Sequence, residues 1–251
     1  MGPFRDNRSI MPWLGRLGQI ERAVHRGLAP APRGGLTRGM RVTKYEHATL
    51  RVDEAGKSLL IDPGVFTRPL DDLAGLVAIV LTHEHPDHWT AEQLDRILKA
   101  APGTPIYGPQ GVAAAAAGYE VTVVNPGDTV TIEPFTLRFF GGTHEVIHSS
   151  LPRMDNVGVL VNDALYYPGD SYVVPKGVDV ELLAAPLGAP WLKVGDAMDF
   201  VLAVKPRHAF GTHDMTLSVA GRDMHRARLT WAAEQNGGTF LPLDPGESFD
   251  I

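Results

Sequence analysis

The sequence of 251 residues contains no cysteine. Disulfide bonds and thiolate ligands are therefore excluded, and any bound metal ion would be held by nitrogen and oxygen donors. A chain without cysteine suits a reducing compartment, so we expect a cytoplasmic protein. The sequence has no apolar run of the roughly 18 residues that a membrane-spanning helix needs, and no secretory signal, so we expect no membrane association.

Basic residues are scarce after residue 40. Residues 1–40 hold seven arginines against Asp6 and Glu21, a net charge of +5. Because the whole chain carries −6, residues 41–251 carry −11. A region with this negative charge is a poor electrostatic match for RNA or DNA. We therefore expect a small-molecule substrate and no nucleic-acid partner. Small phosphorylated substrates stay open, because bound metal ions would supply positive charge locally.

The composition divides the chain near residue 40. Residues 1–40 are rich in arginine, and the segment 29–35 has the alternating Ala-Pro and Gly-Gly sequence of a linker. A regular strand pattern begins at Met40. We therefore expect an Arg-rich, partly disordered N-terminal extension over 1–40 and one folded domain over 41–251.

Hydrophobic patterning in the second region predicts alternating strands and helices. The six apolar residues Leu76–Leu81 predict a strand buried on both faces. A helix is predicted over Thr90–Ala100, with Thr90 and Gln93 at capping-box spacing. Further strands are predicted over Arg41–Val52, Ser58–Ile61, Pro105–Tyr107, Glu120–Val124, Thr129–Ile132, Thr136–Phe140, Val157–Val161, Ala164–Tyr167, Val178–Leu183, Ala209–Gly211 and near Phe240, and helices over Gln110–Ala117, Asp196–Val204 and Ser218–Glu234. This order predicts two packed sheets with helices outside them.

Four potential metal ligands lie within six residues of one another. They belong to the run Thr82-His83-Glu84-His85-Pro86-Asp87-His88-Trp89, which follows the buried strand directly. Alternate residues of an extended segment point the same way, so His83 and His85 can converge on one ion. Pro86 then turns the chain, and Asp87 and His88 can address a second ion beside the first.

Three further donors stand at the ends of predicted strands. His144 follows a Gly-Gly-Thr turn, Asp170 follows Pro-Gly, and His213 follows Gly-Thr. Loops at strand ends commonly carry the functional side chains of sheet enzymes. A lone histidine after a strand is more often a surface residue, but the clustered run makes these donors candidate ligands too.

The chain resembles the metallo-β-lactamase-fold superfamily over roughly residues 41–251. The matching segments are Leu59-Leu60-Ile61-Asp62-Pro63-Gly64, Thr82-His83-Glu84-His85-Pro86-Asp87-His88, Gly142-Thr143-His144, Pro168-Gly169-Asp170-Ser171 and Gly211-Thr212-His213. The segment Glu46-His47-Ala48-Thr49 is similar to a Gly-His-Ala segment of the L-ascorbate-6-phosphate lactonase-like branch, with Glu46 in place of the glycine. The resemblance implies an α/β fold of four layers, an αββα sandwich.

The resemblance also implies a dinuclear metal site. It assigns His83, His85 and His144 to one metal ion, Asp87, His88 and His213 to a second, and Asp170 to a bridge between them. Zn²⁺ is the expected ion for imidazole and carboxylate donors, with Mn²⁺ or Fe²⁺ as alternatives. β-Lactamases of this fold commonly place a cysteine where Asp170 stands, which argues against antibiotic hydrolysis. We expect a metallo-hydrolase in which a bridging hydroxide attacks an ester-type bond, and in which Asp87 orients the nucleophile.

Five other residues are candidates for supporting roles. Asp62 would hold a metal ligand or cap the turn before a Pro-Gly pair, and His47 would reach the site by the family resemblance. His148 would face the pocket from the loop after His144. Trp89 and Trp191 would line the substrate cleft or belong to the core.

Three other functions compete with hydrolysis. A mononuclear iron dioxygenase or other redox enzyme on the same fold would use the same donors. A nuclease would need a basic surface, which the charge of −11 over residues 41–251 disfavours. A non-catalytic metal-binding protein would be expected to lack ligands, whereas all seven are present.

Overall fold

The computed structural model describes residues 39–251. The extension expected over 1–40 lies outside the described residues apart from its last two. The strands are β1 (Arg41–Lys44), β2 (Leu50–Glu54), β3 (Lys57–Ile61), β4 (Leu76–Val80), β5 (Ile106–Gly108), β6 (Val121–Val123), β7 (Thr129–Ile132), β8 (Phe135–Thr143), β9 (Asp155–Val161), β10 (Leu165–Tyr167), β11 (Leu182–Pro186), β12 (His208–Thr212), β13 (Thr239–Leu241) and β14 (Ser248–Asp250). The helices are α1 (Ala91–Ala100), α2 (Gln110–Ala115), α3 (Val194–Val204) and α4 (Val219–Glu234). Over the same residues, no helix has the length and apolar character needed to cross a membrane.

The strands form two sheets of seven. One has the order β14-β1-β2-β3-β4-β5-β6, and the other has the order β13-β12-β11-β10-β9-β8-β7. The first sheet is parallel from β3 to β6, and the second is parallel from β10 to β13. Parallel strands send their carboxyl ends to one edge of a sheet, so the loops after them lie close together.

Three apolar clusters join these elements into four layers. The largest lies between the sheets and takes side chains from both, among them Val80 of β4 and Phe210 of β12. A second packs α3 and α4 on one sheet, and a third packs α1 and α2 on the other. The predicted αββα sandwich is therefore confirmed.

Strand β4 shows why its sequence is apolar without alternation. Ala78 and Val80 face the core between the sheets, while Ile79 and Leu81 pack against the outer helices. A strand covered on both faces requires apolar residues at every position. The prediction of a strand buried on both faces is confirmed.

The strand predicted over Arg41–Val52 was wrong as one continuous element. The structure divides it into β1 and β2, and the five residues between them hold His47 at φ 59°. A left-handed residue cannot continue a strand, so the chain turns there. The consequence is that the His47 side chain leaves the sheet and is free to lie beside the site described below.

Two other differences concern strand pairing. The strand predicted over Val178–Leu183 begins only at Leu182, because Val180 is buried against the helices without belonging to a strand. Strand β14 was not predicted, because its apolar content is one residue, Phe249. It exists through its pairing with β1, more than two hundred residues earlier, in the register Val42↔Phe249.

Candidate metal centre

Every candidate donor lies just beyond the end of a strand. The run containing His83 follows β4, His144 follows β8, Asp170 follows β10 and His213 follows β12. Asp62 follows β3 in the same way, with φ 49°. The fold therefore brings donors from distant parts of the sequence to one place, as the strand-end argument predicts.

The first donor group consists of His83, His85, His144 and Asp170, with ligand atoms all within 4.8 Å of one another. His83 Nε2 lies 3.0 Å from His85 Nδ1, and His144 Nε2 lies 3.2 Å from Asp170 Oδ2. Donors placed tetrahedrally at 2.0–2.1 Å from one ion lie about 3.3 Å apart. These separations are therefore those of atoms that share an ion.

The second donor group shares Asp170 with the first. His88 Nε2 lies 3.2 Å from Asp170 Oδ1, and His213 Nε2 lies 3.2 Å from Asp170 Oδ2. His213 Nε2 is also 3.2 Å from Asp87 Oδ2. Asp170 Oδ2 therefore contacts donors of both groups, and Oδ1 contacts His88 of the second group.

The donors of both groups fit the binding of divalent metal. The Nε2 atoms of His88, His144 and His213 and the Oδ1 atom of Asp170 are buried and have no hydrogen-bond partner. The short contacts among them are not hydrogen bonds, which leaves these atoms free to bind a cation. An unpaired buried polar atom costs about 1–3 kcal/mol, and a bound cation would remove that cost. Imidazole and carboxylate donors suit zinc and also manganese or iron.

Asp62 fixes the orientation of His88. Its Oδ2 lies 2.7 Å from His88 Nδ1 and accepts a hydrogen bond from Thr82 Oγ1 at 2.6 Å, and its Oδ1 accepts one from the Thr82 backbone N–H at 2.8 Å. Because Nδ1–H donates to a carboxylate, Nε2 is the ring nitrogen that faces Asp170 and that a metal ion would bind. Of the two roles considered for Asp62, the structure favours holding a ligand.

Two of the other imidazoles, those of His144 and His213, are oriented by backbone oxygen acceptors. His144 Nδ1 lies 2.5 Å from the carbonyl oxygen of Glu145, and His213 Nδ1 lies 2.6 Å from that of Gly188. Each ring therefore donates from Nδ1 and presents Nε2 to the donor group. Burial lowers the pKa of His83 well below 6.5, so this ring is neutral, as a metal ligand must be.

His47 is held as a hydrogen-bond donor to Asp87. Its Nδ1 accepts from the backbone N–H of Met215 at 3.3 Å, so the ring proton is on Nε2, which lies 3.2 Å from Asp87 Oδ2. Burial lowers the pKa of His47 to about 4, against the opposing effect of Asp87, and keeps the ring neutral. Burial would raise the pKa of Asp87, but the adjacent imidazoles of His213 and His47 lower it below its usual range.

The remaining candidates occupy three different environments. Trp191 is half-buried and its Nε1–H donates to Asp170 Oδ2 at 2.8 Å, a contact that the sequence did not predict. Trp89 packs in the apolar cluster under α1 and α2, so it belongs to the core and does not line a cleft. His148 is exposed on the loop after His144, and its Nδ1 contacts Ser150 at 2.7 Å without joining either donor group.

A second layer of contacts holds the run against the turn after β3. A side chain at Gly64 would overlap the backbone oxygen of Asp87, so glycine is required for this close approach. Gln93 does not complete the predicted capping box; its side-chain amide donates instead to the carbonyl oxygens of Gly64 at 3.2 Å and Thr67 at 2.6 Å. Thr90 alone caps α1, accepting from the Gln93 N–H. The Pro-Gly sequence after Asp62 was the one visible signal for this contact.

The chain belongs to the beta-lactamase superfamily, because residues 41–213 match the family model of the beta-lactamase superfamily domain. It is 36% identical over 197 residues to Protein Rv0786c of Mycobacterium tuberculosis, covering 76% of this chain and 92% of that protein. It is 28% identical over 155 residues to a UPF0173 metal-dependent hydrolase of Chelativorans sp., covering 55% of this chain and 62% of the relative.

Two solved structures show the same fold. Igni18, described as a novel metallo hydrolase from Ignicoccus hospitalis, superposes with a TM-score of 0.67 at 16% identity, covering 85% of this chain and 98% of that one. CmlA, described as a diiron beta-hydroxylase from Streptomyces venezuelae, gives a TM-score of 0.65 at 14% identity, covering 87% of this chain and 55% of that one. At such identities the similarity establishes the architecture alone.

Proposed function

We propose that this chain is a metal-dependent hydrolase that uses two divalent ions to cleave an ester-type bond, such as a lactone or phosphoester, in a small molecule. The observation that carries the proposal is the convergence of two donor groups on the buried carboxylate of Asp170. Two adjacent ions suit a reaction in which both the attacking and the leaving oxygen need stabilisation.

The relatives support an enzyme of this class. A relative from Chelativorans sp. is named a metal-dependent hydrolase, and the Ignicoccus structure is described as a metallo hydrolase. The acidic balance of residues 41–251 supports a small-molecule substrate over a nucleic acid. We also propose that the chain belongs to the lactonase-like branch, which the position of His47 beside Asp87 supports. We propose a cytoplasmic location, which the lack of cysteine supports.

We assign the ligands by the two donor groups. The first ion would be held by His83, His85 and His144, the second by Asp87, His88 and His213, and both by Asp170. Zn²⁺ is the preferred ion, with Mn²⁺ or Fe²⁺ as alternatives. When bound, such ions lower the pKa of a coordinated water and polarise the oxygen of the substrate.

The protein side chains would orient the reactants. Among the seven proposed ligands, only His85 and Asp87 are partly exposed, so substrate would approach from their side. The ionised carboxylate of Asp87, fixed at Oδ2 by the N–H of His47, would orient the attacking water. The N–H of Trp191 would hold Asp170 in its bridging position.

A hydrolase panel on zinc-loaded protein tests this proposal. The panel contains lactones, carboxylic esters and phosphoesters, and we compare the wild type with His83→Ala. His208→Ala is the matched control, because His208 lies at the opposite end of β12 from the site. We expect hydrolysis by the wild type and by the control, and loss of at least about a thousandfold in His83→Ala. Activity that survives His83→Ala would contradict metal-dependent hydrolysis at this site.

A mononuclear iron dioxygenase is the alternative that the same donors allow. Iron-loaded protein would then consume oxygen with a substrate and would hold one ion per chain. We expect the zinc-loaded protein to be active without oxygen, which separates hydrolysis from this alternative.

A further inference from the structure

Several large apolar side chains that are exposed to solvent lie on loops beside the proposed ligands. Within residues 39–251, nine such side chains are exposed; three of them lie on loops that carry a proposed ligand, and two lie on the loop after β3, which carries Asp62. We call these five the apolar rim: Val65, Phe66, Val146, Leu151 and Met215, which are 41–58% exposed. Single exposed apolar residues are ordinary, but a group of them beside a site indicates a binding surface.

The first part of the rim touches the metal-binding run. The backbone N–H of Val65 donates to the carbonyl oxygen of Pro86 at 2.9 Å. The ring of Phe66 lies 4.7 Å from the ring of His47, which in turn donates to Asp87. Phe66 is therefore one side chain removed from a proposed ligand on the open side of the site.

The other rim residues flank the remaining ligands. Met215 follows His213 by two residues, and its N–H donates to His47 at 3.3 Å. Val146 and Leu151 line a small depression together with His144. The rim therefore borders ligands of both ions from three loops.

Two arginines near the rim are engaged with other groups. Arg68, the arginine nearest to Phe66 in sequence, pairs with Glu46 at 3.1 Å. Arg153, on the loop of Val146, donates to the hydroxyl of Thr143 at 3.2 Å. Arg153 is the only lysine or arginine on the segment 144–154, which also carries Glu145, whereas the five rim residues are uncharged.

We propose that the substrate carries its ester-type bond on an apolar body, such as a medium-length alkyl chain, which lies against the apolar rim while the bond reaches the metal centre. This inference rests on the proposed function for the reaction and on the rim for the substrate class. It favours hydrophobic esters or lactones over phosphorylated sugars.

Turnover of a matched series of p-nitrophenyl esters tests the inference. With zinc-loaded protein, kcat/KM should rise about twofold for each methylene group from butyrate to octanoate, or about 16-fold in all, as half-burial of each methylene implies. In Phe66→Ser this octanoate-to-butyrate ratio should fall at least about fourfold. In Met224→Ser, a change of another exposed apolar residue on α4, the ratio should be unchanged.

Binding provides a readout that does not depend on turnover. We expect octanoate to bind the zinc-loaded protein more tightly than butyrate by calorimetry, with the difference reduced in Phe66→Ser and kept in Met224→Ser. If this holds and no ester is hydrolysed, the proposed reaction is wrong and the apolar substrate class stands.

Two outcomes would overturn the inference while leaving hydrolysis intact. One is ester hydrolysis without dependence on chain length in either the wild type or Phe66→Ser. The other is a preference for a phosphorylated ester that is lost in Arg153→Gln, which would assign the rim loop to an anionic substrate.

Discussion

Replacing Asp62 with asparagine removes a buried negative charge without changing the size of the side chain. In the structure Asp62 accepts hydrogen bonds from Thr82 and lies 2.7 Å from Nδ1 of His88. An asparagine amide can satisfy some of these contacts but carries no charge to polarise the imidazole. We expect the Asp62→Asn variant to fold and to bind metal more weakly at the ion held by His88.

The size of the loss follows from the role of such supporting residues. Mutation of a carboxylate that orients a metal-binding histidine weakens metal affinity about 10–100-fold, equivalent to about 1.4–2.8 kcal/mol. The ion proposed at His83, His85 and His144 has other supporting contacts. We therefore expect the affinity for this ion to change by less than about threefold. Asp62 reaches His83 only indirectly, because the hydroxyl of Thr82 donates to Asp62 and contacts Nδ1 of His83.

Proton competition must be separated from this loss. In the metal-free protein, burial opposes the charge on His88, but the carboxylates of Asp170 and Asp62 together raise its pKa to about 9. Metal binding displaces this proton and that of His213, whose pKa burial opposes but the carboxylates of Asp170 and Asp87 raise well above 6.5. Apparent affinity should therefore rise at least about tenfold per pH unit up to pH 9. In Asp62→Asn the apparent affinity should level off at a lower pH, because one of the two carboxylates that raise the pKa of His88 is absent. The intrinsic loss is therefore measured above pH 9.

The assay is a chelator-competition titration of zinc between pH 6 and pH 10 on wild type, Asp62→Asn and Asp250→Asn. Asp250 is an exposed carboxylate on β14 that pairs with Arg41, so the control removes the same charge far from the site. Unchanged affinity above pH 9 in Asp62→Asn, together with an unshifted pH dependence, would refute the reasoning.

Two other changes probe the contacts around the centre. Gly64→Ala places a methyl group against the backbone oxygen of Asp87, so it should lower the free energy of unfolding by about 1–3 kcal/mol and weaken zinc binding. Gly118→Ala is the control, because the space around Gly118 is open, and it should have neither effect. Equal stability of the two variants in denaturant titrations would contradict this. Trp191→Phe removes the N–H donor to Asp170 and should reduce kcat more than it raises KM, with a shifted pH–rate profile; an unchanged profile would show that Trp191 only packs there.

The donors of the site were predictable because the ligand types are chemically restricted and the run is dense. His83, His85 and His88 in six residues after a buried strand needed no tertiary information to indicate a metal. The strand-end positions of His144 and His213 were equally visible, since glycine-containing segments precede both. Which donors share an ion was supplied by family resemblance. By distance the structure groups His83, His85 and His144 with Asp170, His88 and His213 with Asp170, and Asp87 with His47 and His213.

The supporting contacts were not predictable, because they depend on backbone geometry that residue patterns do not encode. His47 reaches Asp87 only because its φ is 59°, which breaks the strand predicted across it. Trp191 and Trp89 are the same residue type with no distinguishing local pattern, yet one contacts Asp170 and the other fills the core. Contacts between residues far apart in the sequence decide these cases, as they do for β14.

The central claim is that two ions bind between donor groups that share Asp170. Metal content per chain, measured by mass spectrometry after zinc loading and removal of free zinc, tests it most directly. We predict about two equivalents in the wild type and about one in His88→Ala, since the second donor group alone is disrupted. One equivalent or fewer in the wild type, or two in both proteins, would contradict the claim.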